Sequence, residues 1–190
     1  MLRILLIVLF SGSVLSGFSQ VADSAMVSRG MAINPEAPTP SMPMLSARQL
    51  DNAVWYYSMD EAMREPEKVV KLSLKKKHLK RFPQELSRFP NLQVLNLSHN
   101  KIKELPNDIS QFHNLQVLIL SHNKIRSLPD AFRDMDNLKE LYLGFNRLMA
   151  VPAWVGGLSK IEHIDLTRNN ITTYEIERLK AKLPTCEITH

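Results

Sequence analysis

The chain has 190 residues, of which 44% are hydrophobic and 23% charged, and its formal net charge is +5. This balance excludes collagen and disordered polyampholytes and is typical of a globular protein with a sizeable core. The single cysteine, Cys186, excludes an intramolecular disulfide framework and a four-cysteine zinc site. Because the excess of cations is small, we expect no nucleic acid as a partner.

Residues 1–19 predict a secretory signal peptide. Arg3 gives a positive start, residues 4–10 are an unbroken apolar run, and Gly17 and Ser19 suit cleavage after Ser19. A buried N-terminal helix is the alternative, but the run has no amphipathic period. It is also shorter than the roughly 20 residues of a membrane-spanning helix. We therefore predict an exported protein, periplasmic, secreted or on the cell surface, with no transmembrane segment after the signal is removed.

Residues 20–45 predict a flexible linker, because four prolines lie among small and polar residues with few aromatic anchors. Residues 46–67 predict an N-terminal cap for the domain that follows. In this cap Ser58 and Glu61 have the spacing of a capping box, which opens a short helix that Pro66 ends. The aromatic residues at 55–57 are available as a cover.

Residues 68–184 contain five copies of a 23-residue repeat, starting at Lys68, Asn91, Asn114, Asn137 and Lys160. The clearest copy is NLQVLNLSHNKIKELPNDISQFH, and it contains the pattern L-x-x-L-x-L-x-x-N. By this pattern the chain resembles the leucine-rich-repeat proteins. The short LPxxI-type coils after a signal peptide resemble exported bacterial members. The resemblance implies an α/β solenoid, a short curved horseshoe with a parallel β-sheet on its concave face and helical caps at both ends.

Packing considerations agree with this resemblance. One coil cannot bury its seven apolar positions alone, whereas stacked coils bury them as columns. In the segment x-L-x-L-x the leucines point inward, and the residues between them form the concave face. The proline that follows in four coils starts convex segments short enough for turns or brief helices.

A column of asparagines is predicted to satisfy the backbone where each coil leaves the sheet, because an amide both donates and accepts. The first coil has Lys77 at this position and is expected to be an edge coil. The predicted structural ladder consists of Asn100, Asn123, Asn146 and Asn169.

The C-terminal end predicts a second capping helix. Thr172 and Glu175 have capping-box spacing, Ile176, Leu179 and Leu183 share one helical face, and Pro184 ends the helix. Residues 185–190 are expected to form an edge segment. Cys186 is expected to be a small buried hydrophobe, and an intermolecular disulfide after export stays open.

The concave face is the predicted partner-binding surface. Its centre is apolar, its start basic and its end acidic, the pattern of a contact site for a protein or peptide. The alternative is that these aliphatic residues reflect only β-propensity. The face is smaller than a standard stable interface, so either the binding is weak or residues after the strands contribute to it. These residues are Lys76, His99, His122, Phe145 and Arg168. The candidate contact residues are Val94, Asn96, Val117, Ile119, Glu140, Tyr142, His163 and Asp165.

A second hypothesis is an electrostatic binder of an anionic polymer or glycan through the first coil. It uses Lys71, Lys75, Lys76 and Lys77. A solvated, unoccupied coil is the alternative, since no aromatic platform separates these cations.

An enzyme is not expected. His163 and Asp165 alternate along one strand, about 7 Å apart, which is too far for a base and its orienting acid. His99 and His122 lie in one column, but no third metal ligand accompanies them. We therefore predict a non-enzymatic module without metal or cofactor, whose partner and oligomeric state the sequence leaves open.

Overall fold

The computed structural model describes residues 42–190. Within them seven short parallel strands form one sheet in sequence order. The predicted signal peptide and residues 20–41 of the predicted linker lie outside the described residues. The strands are β1 Trp55–Tyr56, β2 Lys71–Ser73, β3 Val94–Asn96, β4 Val117–Ile119, β5 Glu140–Tyr142, β6 His163–Asp165 and β7 Glu187–Thr189.

The register of the sheet repeats the period of the sequence. Leu72 lies opposite Leu95, and Leu95 lies opposite Leu118, so each step from β2 to β6 advances 23 residues. Backbone hydrogen bonds extend the pairing beyond the strands: Leu97 N donates to Ile119 O at 2.8 Å. The predicted leucine-rich-repeat solenoid with a parallel sheet is confirmed.

The core is a set of stacked columns. The central leucine of each strand from β2 to β5 is completely buried, and Ile164 continues the column in β6. On the convex side each of the first four coils has a short 3₁₀ helix that follows a proline and contributes one inward apolar side chain. These helices are Gln84–Arg88, Asn107–Gln111, Asp130–Asp134 and Ala153–Gly157.

The asparagine side chains bridge neighbouring coils. Asn123 Oδ1 accepts from Ile102 N of the preceding coil at 3.0 Å, and Asn123 Nδ2 donates to Leu97 O and Leu120 O. Asn100, Asn146 and Asn169 make the equivalent bonds. Lys77, at this position in the first coil, is exposed.

Two helices and an edge strand form the N-terminal cap. Helix α1, Ala47–Asn52, begins with a capping box between Ser46 and Gln49, and β1 follows it. Helix α2, Met59–Ala62, is capped by the Ser58 hydroxyl, which accepts from Glu61 N. This helix ends well before Pro66, and a 3₁₀ turn, Pro66–Lys68, leads into the first coil.

Helix α3, Thr173–Lys182, closes the C-terminal end. Thr172 caps it by accepting from Glu175 N, and Ile176, Leu179 and Leu183 are buried. The helix contacts the convex helix Ala153–Gly157 of the fourth coil. Strand β7 then pairs with β6, so the last residues complete the sheet. Cys186 precedes this strand and is half-buried, and burial raises the pKa of its thiol.

The end of the predicted linker is not a tether in the structure. Met42 N donates to Asn91 Oδ1 at 2.7 Å, and Leu45 N donates to Gln93 Oε1 at 2.8 Å. Residues 42–45 therefore pack on the repeats, because side chains of the second and third coils form hydrogen bonds with the backbone of this segment. We call residues 42–52, which include α1, the N-terminal strap.

Candidate functional site

The N-terminal strap covers the start of the concave face. Leu50 of α1 packs against Val70 and Val94, and the partly buried Trp55 and Val117 lie around this cluster. Two side chains expected to be exposed are therefore buried: Val94 is 6% exposed and Lys71 is also 6% exposed. The expectation that these two residues face solvent is wrong, because helix α1 occupies the space in front of them.

Lys71 has its charge satisfied inside the protein. Its Nζ donates to Leu50 O at 2.7 Å and lies 4.7 Å from the centre of the Trp55 ring. A buried ammonium with a carbonyl acceptor and an aromatic face is a structural cation. Lys71 therefore does not belong to a free basic surface, whereas Lys75, Lys76 and Lys77 are exposed.

A groove runs between the N-terminal strap and the later strands, and we call it the central groove. Val117 and Ile119 form its apolar floor and are only half-buried. Ala47, Leu50 and Trp55 line one side of it. Lys139, Glu140 and Glu162 line the other.

Tyr142 and Glu140 form a hydrogen-bonded pair beside this groove. Tyr142 OH donates to Glu140 Oε2 at 2.7 Å. Burial, together with this bond to the carboxylate, raises the pKa of Tyr142 to about 12. The phenol therefore stays protonated and acts as a fixed donor with a partly exposed ring.

His163 and Asp165 do not form an acid–base pair. His163 Nδ1 lies 3.4 Å from Glu187 Oε2 on the neighbouring strand, and its ring packs 5.1 Å from that of Tyr142. Asp165 Oδ1 instead accepts from the backbone N and the Oγ1 of Thr167. Asn96 makes the same local turn by accepting from Ser98 N. These contacts orient polar side chains on a surface and give no nucleophile with a base.

The turn after each strand presents a second feature. The ninth residue of each coil has a positive φ between 54° and 59°, although none is glycine. His99 stacks on His122 with ring centroids 4.1 Å apart, and His122 stacks on Phe145 at 4.2 Å, in nearly parallel planes. We call these three rings the ring ladder. Lys76 and Arg168 hold the corresponding positions in the first and last coils.

The sequence placed the two histidines in one column but gave no sign of this stacking. Parallel stacked imidazoles direct their lone pairs side by side rather than toward one point, so the pair is a poor chelate. Among residues 42–190, no group of three or more histidine, cysteine or acidic side chains is arranged to hold a metal ion.

Comparison with known proteins agrees with the geometry of the coils. A family model described as leucine rich repeat matches residues 67–125 and, in an overlapping register, 90–148. The chain is a leucine-rich-repeat protein. A search of curated protein sequences gave no match.

Solved leucine-rich-repeat structures from bacteria share the fold. A leucine-rich-repeat protein of Leptospira interrogans is 36% identical over 66% of this chain and 33% of its own, with a TM-score of 0.59. Internalin C2 of Listeria monocytogenes is 20% identical over 70% of this chain and 55% of its own, with a TM-score of 0.58. The chain thus spans about a third of the first protein and about half of the second.

Leucine-rich-repeat proteins generally act as protein-interaction modules and are typically non-enzymatic. Within the part of the chain that the structure describes, no helix is both long and apolar enough to cross a membrane. The leucine-rich-repeat fold supports a protein-interaction module in general, and the surfaces of the protein must supply the specificity.

Proposed function

We propose that the chain is an exported, non-enzymatic binding module that recognises a protein or peptide through its concave face. The central groove carries this proposal, because it combines an apolar floor with a polar rim, as protein contact sites do. The N-terminal strap adds a wall to the shallow sheet and enlarges the surface that a partner can contact. The signal-like residues 1–19 support export. The similarity to internalin C2 agrees with it, because internalin-like proteins are bacterial surface or secreted proteins.

The proposed contact residues are those that the structure leaves accessible beside the groove. Val117 and Ile119 offer apolar contact, and Tyr142 offers an aromatic edge. Glu140, His163 and Asp165 supply polar contacts at the acidic end of the face, and Asn96 lies one strand before Ile119. Val94 contributes indirectly, by holding helix α1 in place.

The test places a photo-crosslinking residue at position 119 in the native host, with position 111 on the convex side as the control. The crosslinked chain is recovered with its adduct, and export predicts that its N-terminus is Gln20. The captured protein is then titrated against the purified chain and its Ile119→Asp variant.

We expect Ile119→Asp to weaken binding at least about tenfold, because it places a charge against an apolar partner surface. Gln111→Asp should leave the affinity unchanged, since Gln111 is an exposed residue of a convex helix. The proposal fails if probe positions 119 and 111 capture the same proteins, or if Ile119→Asp binds like the unchanged chain.

A further inference from the structure

The turns beyond the C-terminal ends of the strands carry a surface that the concave face does not use. The positive side chains that project there recur from coil to coil, and seven of the eight are exposed while Lys124 is half-buried. We call this surface the basic edge. It consists of Lys76, Lys80, Lys101, Lys103, Lys124, Arg126, Arg147 and Arg168.

Among residues 42–190, no cation of the basic edge forms an ion pair with an acidic side chain. Every ion pair within residues 42–190 involves other side chains, such as Lys68 with Glu65 and Arg178 with Glu175. A shallow depression in the edge has only one carboxylate, that of Glu104, among its lining residues. The other lining residues are Lys80, Arg81, Lys101, Lys103 and Lys124. Clustered cations without counter-charges create a positive potential that attracts an anionic partner.

The ring ladder lies in the same turns. Lys101 and Lys124 each follow a ladder histidine by two residues, and Lys76 and Arg168 continue the ladder column at its two ends. Within the ladder the ring faces are occupied by one another, at 4.1 and 4.2 Å, so only the edges and the outer faces remain available. Bases of a single-stranded nucleic acid need open ring faces for stacking, so the occupied inner faces of the ladder disfavour a nucleic acid as the ligand. The ladder therefore offers polar imidazole edges beside cations, which suit hydroxyl-bearing and charged ligands.

The geometry points to a binding site for an anionic polysaccharide along the basic edge. We propose that a sulfated or carboxylated glycan lies parallel to the solenoid axis and places its anionic groups against cations of successive coils. Neighbouring strands of a sheet lie about 4.8 Å apart, so the edge presents charge at a short, regular interval. This site differs from the first-coil site expected from sequence, because it omits the buried Lys71 and extends across all five coils.

The depression favours a polymer over a lipid surface. Its lysines surround a concavity that one chain of a polymer can enter, whereas a flat bilayer would contact only the rim. The site is also separate from the central groove, since none of its residues lines that groove. The two surfaces can therefore be occupied and tested independently.

The test measures binding of the full chain to immobilised heparin at several salt concentrations, with neutral dextran as the blank. The variant is Lys101→Gln/Lys124→Gln, which removes charge from two adjacent coils without changing the core. The matched control is Arg64→Gln/Arg88→Gln, which removes the same charge from exposed positions in the N-terminal cap and at the end of a convex helix.

We expect the Lys101→Gln/Lys124→Gln variant to bind heparin about tenfold more weakly and with a shallower salt dependence, because two charge contacts are lost. The control variant and Ile119→Asp should bind within about twofold of the unchanged chain. Equal losses in the two double variants would overturn the proposal, since net charge alone would then explain binding. Tighter binding to phosphatidylserine vesicles than to heparin, lost in the same variant, would overturn it in favour of a lipid surface.

Discussion

At the residue scale, the ninth position of each coil shows how a costly backbone conformation is maintained. A non-glycine residue with positive φ costs about 1 to 3 kcal/mol. In each of the first four coils this cost is offset by a bond to the next coil: His99 N donates to Ser121 O at 2.9 Å, and His122 N donates to Gly144 O at 2.9 Å. The same conformation turns the side chains outward in parallel, and the ring ladder follows from it.

The pKa of His99 provides a test of the ring ladder. Stacking removes water from the imidazole, and the His122 ring with Lys75 and Lys76 further opposes a positive charge, so the pKa of His99 lies below 6.5. When folding lowers the pKa of a histidine, its contribution to the free energy of unfolding is fully present above pH 6.5. That contribution is lost as the pH falls from 6.5 through the folded pKa, because the unfolded chain takes up the proton first.

We expect an NMR titration to give His99 a pKa below 6.5 and the His122→Phe variant to raise it. Phenylalanine retains the stacked ring while removing the second imidazole, so the change isolates the electrostatic contribution. A pKa of His99 at or above 6.5 in the unchanged chain would contradict the stacked arrangement.

At the element scale, the N-terminal strap is attached by two glutamines at the same position of adjacent coils. Gln93 and Gln116 are almost completely buried, and Gln116 Nε2 donates both to Gln93 Oε1 and to Leu45 O at 2.9 Å. Gln93 Nε2 also donates to Pro43 O. Buried amides of this kind stabilise only when their bonds are complete, so the strap and the coils depend on each other.

We expect Gln93→Leu to release the strap. Leucine keeps much of the volume but leaves Leu45 N without its acceptor and removes one of the two acceptors of Gln116 Nε2, which costs about 1 to 3 kcal/mol. Hydrogen exchange over residues 43–52 should then be roughly tenfold faster or more. Gln111→Leu, on the convex side, is the control and should leave exchange there unchanged. A uniform loss of stability without faster exchange in the strap would contradict this attachment.

The sequence predicted the coils well because their signal is local and repeated. Leu95 and Asn100 belong to a pattern that recurs every 23 residues, and the chemistry of each position follows from its column. The strap was not predictable in this way, since Met42 binds Asn91, 49 residues away, through a contact that no local period encodes. The burial of Lys71 and Val94 was missed for the same reason, because it depends on Leu50 of the strap, which is also distant in sequence. Stacking in the ring ladder depends on turn geometry, which residue type alone did not show.

At the scale of the whole molecule, the coils form a linear array in which each contacts only its neighbours. No coil buries its apolar positions alone, so short arrays unfold together unless an end is weakly attached. The two tryptophans report on different parts of the array. Trp55 lies in edge strand β1, whereas Trp154 lies on the convex side of the fourth coil and stacks on Phe132 of the third coil.

We expect urea unfolding followed by tryptophan fluorescence to give one midpoint for both parts. The single-tryptophan variants Trp55→Phe and Trp154→Phe are each compared with their own circular dichroism curve, so any change in overall stability cancels. Fluorescence of Trp55 that changes at a lower urea concentration than the circular dichroism would show that the N-terminal cap unfolds separately.

The one-sided placement of the N-terminal strap has a consequence for how the protein can change in length. Gln93 of the second coil and Gln116 of the third coil form hydrogen bonds with the backbone of the strap. The equivalent positions in the fourth and fifth coils hold Lys139 and Glu162 instead. Duplication of the fourth coil would lengthen the sheet by about 4.8 Å without disturbing the strap. Repeat number at the C-terminal side is thus a variable that evolution or design can adjust while the N-terminal end of the groove stays the same.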